Sequence, residues 1–191
     1  PPGAWPVTAT HFQRVAEAAL DEVMERSAPV GATAVVIDPK TGAVVALAQR
    51  PTHNPNDTRK LKSTALRNQA VADVFEPGSV FKPFVAAAAL EEGLVSPKTP
   101  IDCENGRFRI GRTTISDEHP EKLITVSEVI KVSSNIGSVK LAFSLGAERT
   151  LSYLKDFGFS RSTNLGLSGE AAGAMRSAKS IKPIELATIS Y

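Results

Sequence analysis

The sequence predicts an α+β fold, on three observations. Two short apolar runs rich in β-branched residues, Gly31 to Asp38 and Ala43 to Gln49, flank the turn residues Asp38-Pro39-Lys40-Thr41-Gly42, the pattern of an antiparallel hairpin. Elsewhere apolar residues recur at the spacing of helices that bury one stripe. The 191 residues are 42% hydrophobic and 22% charged, a globular composition that excludes disordered, collagenous and coiled-coil classes. At about 100–200 residues per domain, this length suits one domain or most of one.

In chain order, residues 1–30 read as a leading helix with Phe12, Val15, Ala16, Ala19, Leu20, Val23 and Met24 on its buried stripe and Thr8 or Thr10 as its cap. Residues 31–50 supply the first sheet strands. A lone pair of strands is marginally stable and needs further strands or a helix to cover it. Arg50 to Arg67, with its Pro, Asn, Asp and Lys, reads as a loop, and the basic run Arg59 to Lys62 within it as solvated. Residues 75–191 read as mainly helical. An alanine-rich helix stops at Gly93, and Cys103 to His119 forms an irregular or short-hairpin excursion. Thr125-Val126-Ser127-Glu128 has capping-box spacing and starts a helix, Gly146 ends the next apolar stretch, and Gly158 follows the periodic Leu151, Leu154 and Phe157. Pro183 suits the first turn of a last helix. Ile184 to Tyr191 carries no residue that would end it, so the chain is expected to stop inside a helix, with more structure to follow.

The charge pattern and the rare residues exclude several functions. Twenty-two Lys and Arg face 20 Asp and Glu for a net charge of +2, with the signs interspersed, so no basic stripe points to nucleic acid. The longest apolar run, Phe84 to Leu90, falls short of the roughly 20 residues that span a bilayer, and no signal-peptide pattern opens the chain. Cys103 stands alone, which leaves no disulfide framework or thiolate cluster and reads as a buried, inert thiol. His11, His53 and His119 have no metal-ligand spacing, so neither a metal nor a cofactor is implied.

Chemistry enters with Ser-x-x-Lys, which places a hydroxyl and an amine on one helical face, where a desolvated, neutral lysine can take the proton of an attacking serine. The pattern occurs at Ser79/Lys82 and at Ser152/Lys155. The second pair lies opposite Leu151, Leu154 and Phe157 and reads as a solvated helix face. The first sits in Phe75-Glu76-Pro77-Gly78-Ser79-Val80-Phe81-Lys82-Pro83-Phe84. Pro83 is tolerated in a first turn, so the helix must begin near Ser79, at the positive end of its dipole. Phe81, Phe84 and the alanines imply burial that depresses the Lys82 pKa. A serine-capped helix start with a surface lysine is the alternative, and the residues alone leave both open. Ser133-Ser134-Asn135 is a polar turn between buried segments that could hand a hydroxyl and an amide into a cleft. Ser162-Thr163-Asn164 reads as a surface loop and Lys40-Thr41-Gly42 as the hairpin tip. Asp117 and His119 are close enough to bond each other or the backbone near the site, without a catalytic assignment.

Phe75 to Phe84 with the preceding Arg67-Asn68, Ser133-Ser134-Asn135-Ile136-Gly137, Asn54-Pro55-Asn56 and Asn164-Leu165-Gly166-Leu167-Ser168-Gly169-Glu170 together resemble the transpeptidase domain of class B penicillin-binding proteins, with the nearest likeness to septal and sporulation types. The resemblance implies a penicillin-binding/serine β-lactamase-like fold, an antiparallel sheet with helices around it. It implies three active-site motifs, S-x-x-K, S-x-N and K-[ST]-G. On this pattern Ser79 is the acylated nucleophile, Lys82 the general base and Ser133 the relay of a proton to the leaving group. Asn135 binds the stem-peptide amide, and the Ser79 backbone N–H contributes to the oxyanion hole. The third motif is not found after Asn135, so residues 1–191 are expected to be an incomplete domain, unstable or inactive alone. The implied activity is a penicillin-sensitive peptidoglycan D,D-transpeptidase of cell-wall synthesis and division. Its implied partners are stem peptides, β-lactam antibiotics and division or elongation membrane proteins. Its implied place is the extracytoplasmic face of the membrane, anchored by an N-terminal segment absent from this chain. The alternatives are a β-lactamase or β-lactam sensor of the same fold, or a non-catalytic scaffold module.

Overall fold

A computed structural model of the chain describes residues 7–53, 56 and 67–191. The chain divides into two units, one of Pro1–Val74 with Asn164–Ala171 and one of Phe75–Thr163 with Ala172–Tyr191. Its described strands form three two-stranded antiparallel sheets. No helix among the described residues is long and apolar enough to cross a membrane.

In the first unit, helix α1 (Val7–Ser27) packs on a ribbon of β1 (Ala32–Ile37) and β2 (Val44–Arg50), with the four-residue α2 (Gln69–Ala72) beside it. The strands pair from Ala32↔Arg50 through Val35↔Leu47, with an irregularity between Val36 and Ile37. At the hairpin tip the Asp38 carboxylate accepts the Lys40 N–H and the Thr41 hydroxyl, each at 2.9 Å. Lys40-Thr41-Gly42 is therefore held as turn chemistry. Ala16 and Leu20 meet Ala46 and Ala48 in a small core. Polar contacts extend this seam. The Gln13 amide exchanges two bonds with the Leu47 backbone, at 2.9 and 3.0 Å, and the Arg50 guanidinium grips Asp21 at 2.6 and 2.9 Å.

Two expectations for α1 need correction. Thr8 and Thr10 lie inside the helix, which starts at Val7. Phe12, Val15 and Ala19 are exposed, because a ribbon of two strands is narrow enough to be covered by the line Gln13, Ala16 and Leu20. The far face of the ribbon also leaves Val35 and Ile37 exposed. The loop expected over Arg50 to Arg67, with its basic run Arg59 to Lys62, lies largely outside the described residues, as do Asn54 and Pro55.

The second unit is built around two helices. A 3₁₀ turn, Gly78–Phe81, runs into α3 (Lys82–Glu91), whose alanines pack against α5 (Asn135–Asp156). Between them come β3 (Pro100–Asp102), β4 (Arg107–Ile110), β5 (Thr113–Ser116), β6 (Leu123–Thr125) and α4 (Val126–Lys131). β3 pairs with β6, and β4 with β5. The capping box forms as the spacing predicts: Thr125 Oγ1 accepts the Glu128 N–H, and Glu128 Oε2 accepts the Thr125 N–H at 2.8 Å. Gly146, at φ +77°, breaks α5 where the sequence places a helix end. The last helix, α6 (Pro183–Ile189), packs on α5, where the Ser138 hydroxyl donates to the Ser190 carbonyl at 2.6 Å.

One glycine sets how closely α4 and α5 approach. A Cβ on Gly137 would lie 2.4 and 2.7 Å from the two methyls of Val129, a fully buried side chain. Gly137→Ala must therefore push the helices apart. We expect it to lower stability by about 1–3 kcal/mol in urea unfolding. Unchanged stability would mean that the α4–α5 contact yields freely.

Candidate active site

Lys82 is the first residue of α3 and only 2% exposed. The next residue, Pro83, suits this first turn because it has no N–H to leave unpaired there. Ser79 lies in the preceding 3₁₀ turn, exposed, and its carbonyl accepts the Lys82 N–H. No side-chain cap holds this turn, so a serine-capped helix start is not what forms there. Aromatic packing holds it instead: Phe81 and Phe84 meet Phe159 with ring centroids at 4.5 and 5.0 Å, and Phe84 meets Phe157 at 4.9 Å.

Three acceptors surround the Lys82 amine. Nζ lies 2.6 Å from the Ser133 carbonyl, 2.9 Å from Ser133 Oγ and 2.7 Å from Asn135 Oδ1. An ammonium has three N–H donors and uses all of them here. A neutral amine fits equally well, donating to the two carbonyl oxygens while its lone pair accepts the Ser133 hydroxyl. Burial pushes the Lys82 pKa down, and the Asp117 charge partly opposes that shift.

Ser133 holds its position at a conformational cost. α4 ends with the Ser133 N–H on the Ile130 carbonyl at 3.3 Å and the Ser134 N–H on the Val129 carbonyl at 2.9 Å. This bond pair is a Schellman motif, and the residue at its bend must be left-handed. α3 and α5 end with the same two bonds and place Gly93 and Gly158 at the bend. α4 places Ser133 there, at φ +58°. A residue with a Cβ costs about 1–2 kcal/mol in that conformation.

The next residues start α5. Ser134, fully buried, accepts the Gly137 N–H at 2.9 Å as the N-cap and donates its hydroxyl to Asp117 at 2.7 Å. The other Asp117 oxygen accepts the Asn135 and Ile136 N–H groups at 2.5 and 3.1 Å. Asn135 Nδ2 donates to the Ser116 carbonyl at 2.8 Å, which turns Oδ1 toward Lys82. Cys103 is buried, its Sγ 3.4 Å from Ser134 Oγ, and burial pushes its thiol pKa up.

The fold thus brings Lys82, Ser133 and Asn135 into contact, with Ser79 one turn before Lys82. It leaves the other candidates outside. Ser152 and Lys155 are exposed on α5, Ser162, Thr163 and Asn164 are exposed in the following loop, and His119 is exposed. Asp117 is the polar residue whose importance the sequence understates. It accepts the Ser134 hydroxyl and the backbone N–H groups of Asn135 and Ile136, 17–19 residues from its own position, which no local spacing reports.

A buried Ser-x-x-Lys lysine bonded to the serine and asparagine of a helix-joining turn, in an α+β chain whose first helix is followed by an antiparallel hairpin, defines the penicillin-binding/serine β-lactamase-like class. The comparisons refine this to a family. The model of the penicillin-binding protein transpeptidase domain matches residues 32–191, and the chain belongs to that family. It is 34% identical over 180 residues to a probable peptidoglycan D,D-transpeptidase, PenA, of Neisseria gonorrhoeae, covering 94% of this chain and 31% of that protein. It is 36% identical over 159 residues to the peptidoglycan D,D-transpeptidase FtsI of Escherichia coli K12, covering 83% of this chain and 27% of that one. The chain therefore spans about a third of the curated relatives it matches. The transpeptidase domain of penicillin-binding protein 3 from Burkholderia pseudomallei superposes with a TM-score of 0.86 at 32% identity, over 100% of this chain and 54% of that one.

Two predictions follow from the site's energetics. Ser133→Gly and Ser133→Ala both lose the hydroxyl, but glycine alone relieves the left-handed bend. Ser133→Gly should be the more stable of the two by about 1–2 kcal/mol in denaturant unfolding, and equal stabilities would show an unstrained turn. For Lys82, the folded pKa lies below the ordinary 10.5, so the unfolded chain binds the proton more readily. Stability therefore rises with pH through the window between the depressed value and 10.5. The stability of the wild type relative to Lys82→Met should grow from neutral to alkaline pH, and a constant difference would contradict the depressed pKa.

Proposed function

We propose that the protein acts as a peptidoglycan D,D-transpeptidase through a Ser79 acyl-enzyme. The observation that carries this reading is the Lys82 amine, buried and bonded to both Ser133 and Asn135, one turn after an exposed Ser79. Ser79 Oγ attacks the carbonyl of the D-Ala-D-Ala bond of a stem peptide. Lys82 takes up its proton, as a neutral amine can. The negative oxygen that develops on the substrate is favoured at the start of a helix, where the dipole is positive. When the C–N bond breaks, the leaving D-Ala amine takes a proton through Ser133, and Ser79 keeps the acyl group. The amine of a neighbouring stem peptide then attacks the ester, forming the cross-link and returning the Ser79 proton. Asn135, whose side-chain amide is fixed by Ser116 and Lys82, holds the backbone of the stem peptide.

On this reading β-lactams acylate Ser79 and block turnover. Stem peptides lie outside the cytoplasmic membrane, so the protein works on that face, held there by a membrane anchor and in company with division or elongation membrane proteins. The names of PenA and FtsI support this placement in cell-wall synthesis.

The test is incubation of the protein and of Ser79→Ala with a fluorescent penicillin, followed by intact mass and peptide mapping. A stable adduct on the Ser79 peptide, lost in the variant, is the expected result. Labelling that persists in Ser79→Ala, or none in folded wild type, rejects the mechanism. Rapid release of hydrolysed penicillin would reassign the protein as a β-lactamase.

A further inference from the structure

We propose that Asp117 is a positioning residue for the proposed reaction, holding the Ser133-Ser134-Asn135 turn against the Lys82 amine and setting the charge that amine experiences. The inference rests on the acyl-enzyme reading above for its role in the reaction. Its geometric basis stands independently.

Ser133 is fixed on its N-terminal side by the end of α4, through the Ser133 and Ser134 N–H bonds to Ile130 and Val129. On its C-terminal side Asp117 takes the Ser134 hydroxyl and the Asn135 and Ile136 N–H groups. These two N–H groups are among those a helix start leaves without partners, and a carboxylate there also meets the positive end of the 22-residue α5. A left-handed residue with a Cβ persists where its surroundings over-determine it. Asp117 supplies half of that determination from a separate segment. The same segment orients Asn135, because the Ser116 carbonyl beside Asp117 accepts Asn135 Nδ2. Ser133 and Asn135 are the only side chains on the Lys82 amine among the described residues, so one short segment sets both partners of the proposed base.

Charge adds a second effect. The side chains bonded to Lys82 are neutral, and Asp117 is the charged group that acts on it. Of the other ionised groups on the helices packed against α3, Arg149 of α5 pairs with Glu92, Lys140 of α5 pairs with Glu104 and Glu128 of α4 is held in its capping box, while Lys131 of α4 and Glu148, Lys155 and Asp156 of α5 are exposed. Asp117 favours the ammonium against burial. It therefore raises the pH at which Lys82 becomes a base above the one that burial alone would set.

Two variants separate geometry from charge. Asp117→Ala removes both and should slow first-order acylation of Ser79 by fluorescent penicillin about 10²-fold, the scale of a misplaced catalytic group. Initial penicillin affinity should change far less. Asp117→Asn keeps an oxygen for the Asn135 and Ile136 N–H groups and removes the charge. Its acylation should stay within about tenfold of wild type, with the acid limb of the pH profile moved to lower pH. In protein labelled with ¹⁵N-lysine, the Lys82 signal of Asp117→Asn should titrate at lower pH than that of wild type. Wild-type acylation in Asp117→Ala, or an unshifted acid limb and Lys82 titration in Asp117→Asn, overturns the proposal. If Asp117→Ala does not fold, Asp117→Asn alone decides. Absence of acylation in wild type would defeat the acyl-enzyme reading, while the Lys82 titration still decides whether Asp117 governs the amine.

Discussion

The site depends on a lysine amine taken out of water. A buried ammonium without partners costs far more than a fold of ordinary stability can bear, and a buried neutral amine still has two donors and a lone pair to satisfy. The Lys82 site meets either requirement with the same three atoms, two of which can only accept and one of which can do both. The lysine is thereby poised between protonation states without rearranging its surroundings. Burial pushes it toward the neutral form, and one carboxylate prevents that push from going unopposed.

Holding those three atoms in place accounts for much of the local architecture. Two of them belong to Ser133 and one to Asn135, so the turn between α4 and α5 must be rigid and close to α3. Closeness comes from small residues: the alanines of α3 against α5, and Gly137, where any Cβ would strike Val129. Rigidity comes from a helix end and a helix start that share the turn, each with its backbone groups satisfied. The left-handed Ser133 marks what this arrangement sacrifices. Glycine, which two other helices of the chain use at the equivalent bend, would be easier to fold there but would leave the amine one partner short.

Much of this was legible in the residues because the signals are local. The hairpin, the capping box and the helix ends at Gly93, Gly146 and Gly158 each follow from a few adjacent positions, and the structure forms them where the spacing places them. Pro83 fixed the helix start, which in turn put Ser79 and Lys82 at its first turns rather than mid-helix. What local spacing could not show was anything that depends on the width or register of a distant partner. Phe12, Val15 and Ala19 fit a helical stripe as well as Ala16 and Leu20 do, and only the narrowness of the ribbon leaves them exposed. Asp117 looks like an ordinary loop acid until the fold brings the start of α5 to it.

The hydrogen-bond pattern also constrains the route of the proton. None of the three Lys82 bonds goes to Ser79. The carbonyls of Ser133 and Asn135 carry no proton, so their two bonds keep the same direction whether Lys82 is charged or neutral. Only the bond to Ser133 Oγ can reverse, the amine donating when charged and accepting when neutral. A change in the protonation of Lys82 is therefore felt first at Ser133. In the proposed reaction, a proton arriving from the Ser79 side would either enter through that hydroxyl or displace it, and a proton leaving for a departing amine could retrace the same path. The strained serine thus holds the single adjustable bond of an otherwise fixed cluster, which gives a physical reason for a hydroxyl, and not a glycine, at that bend.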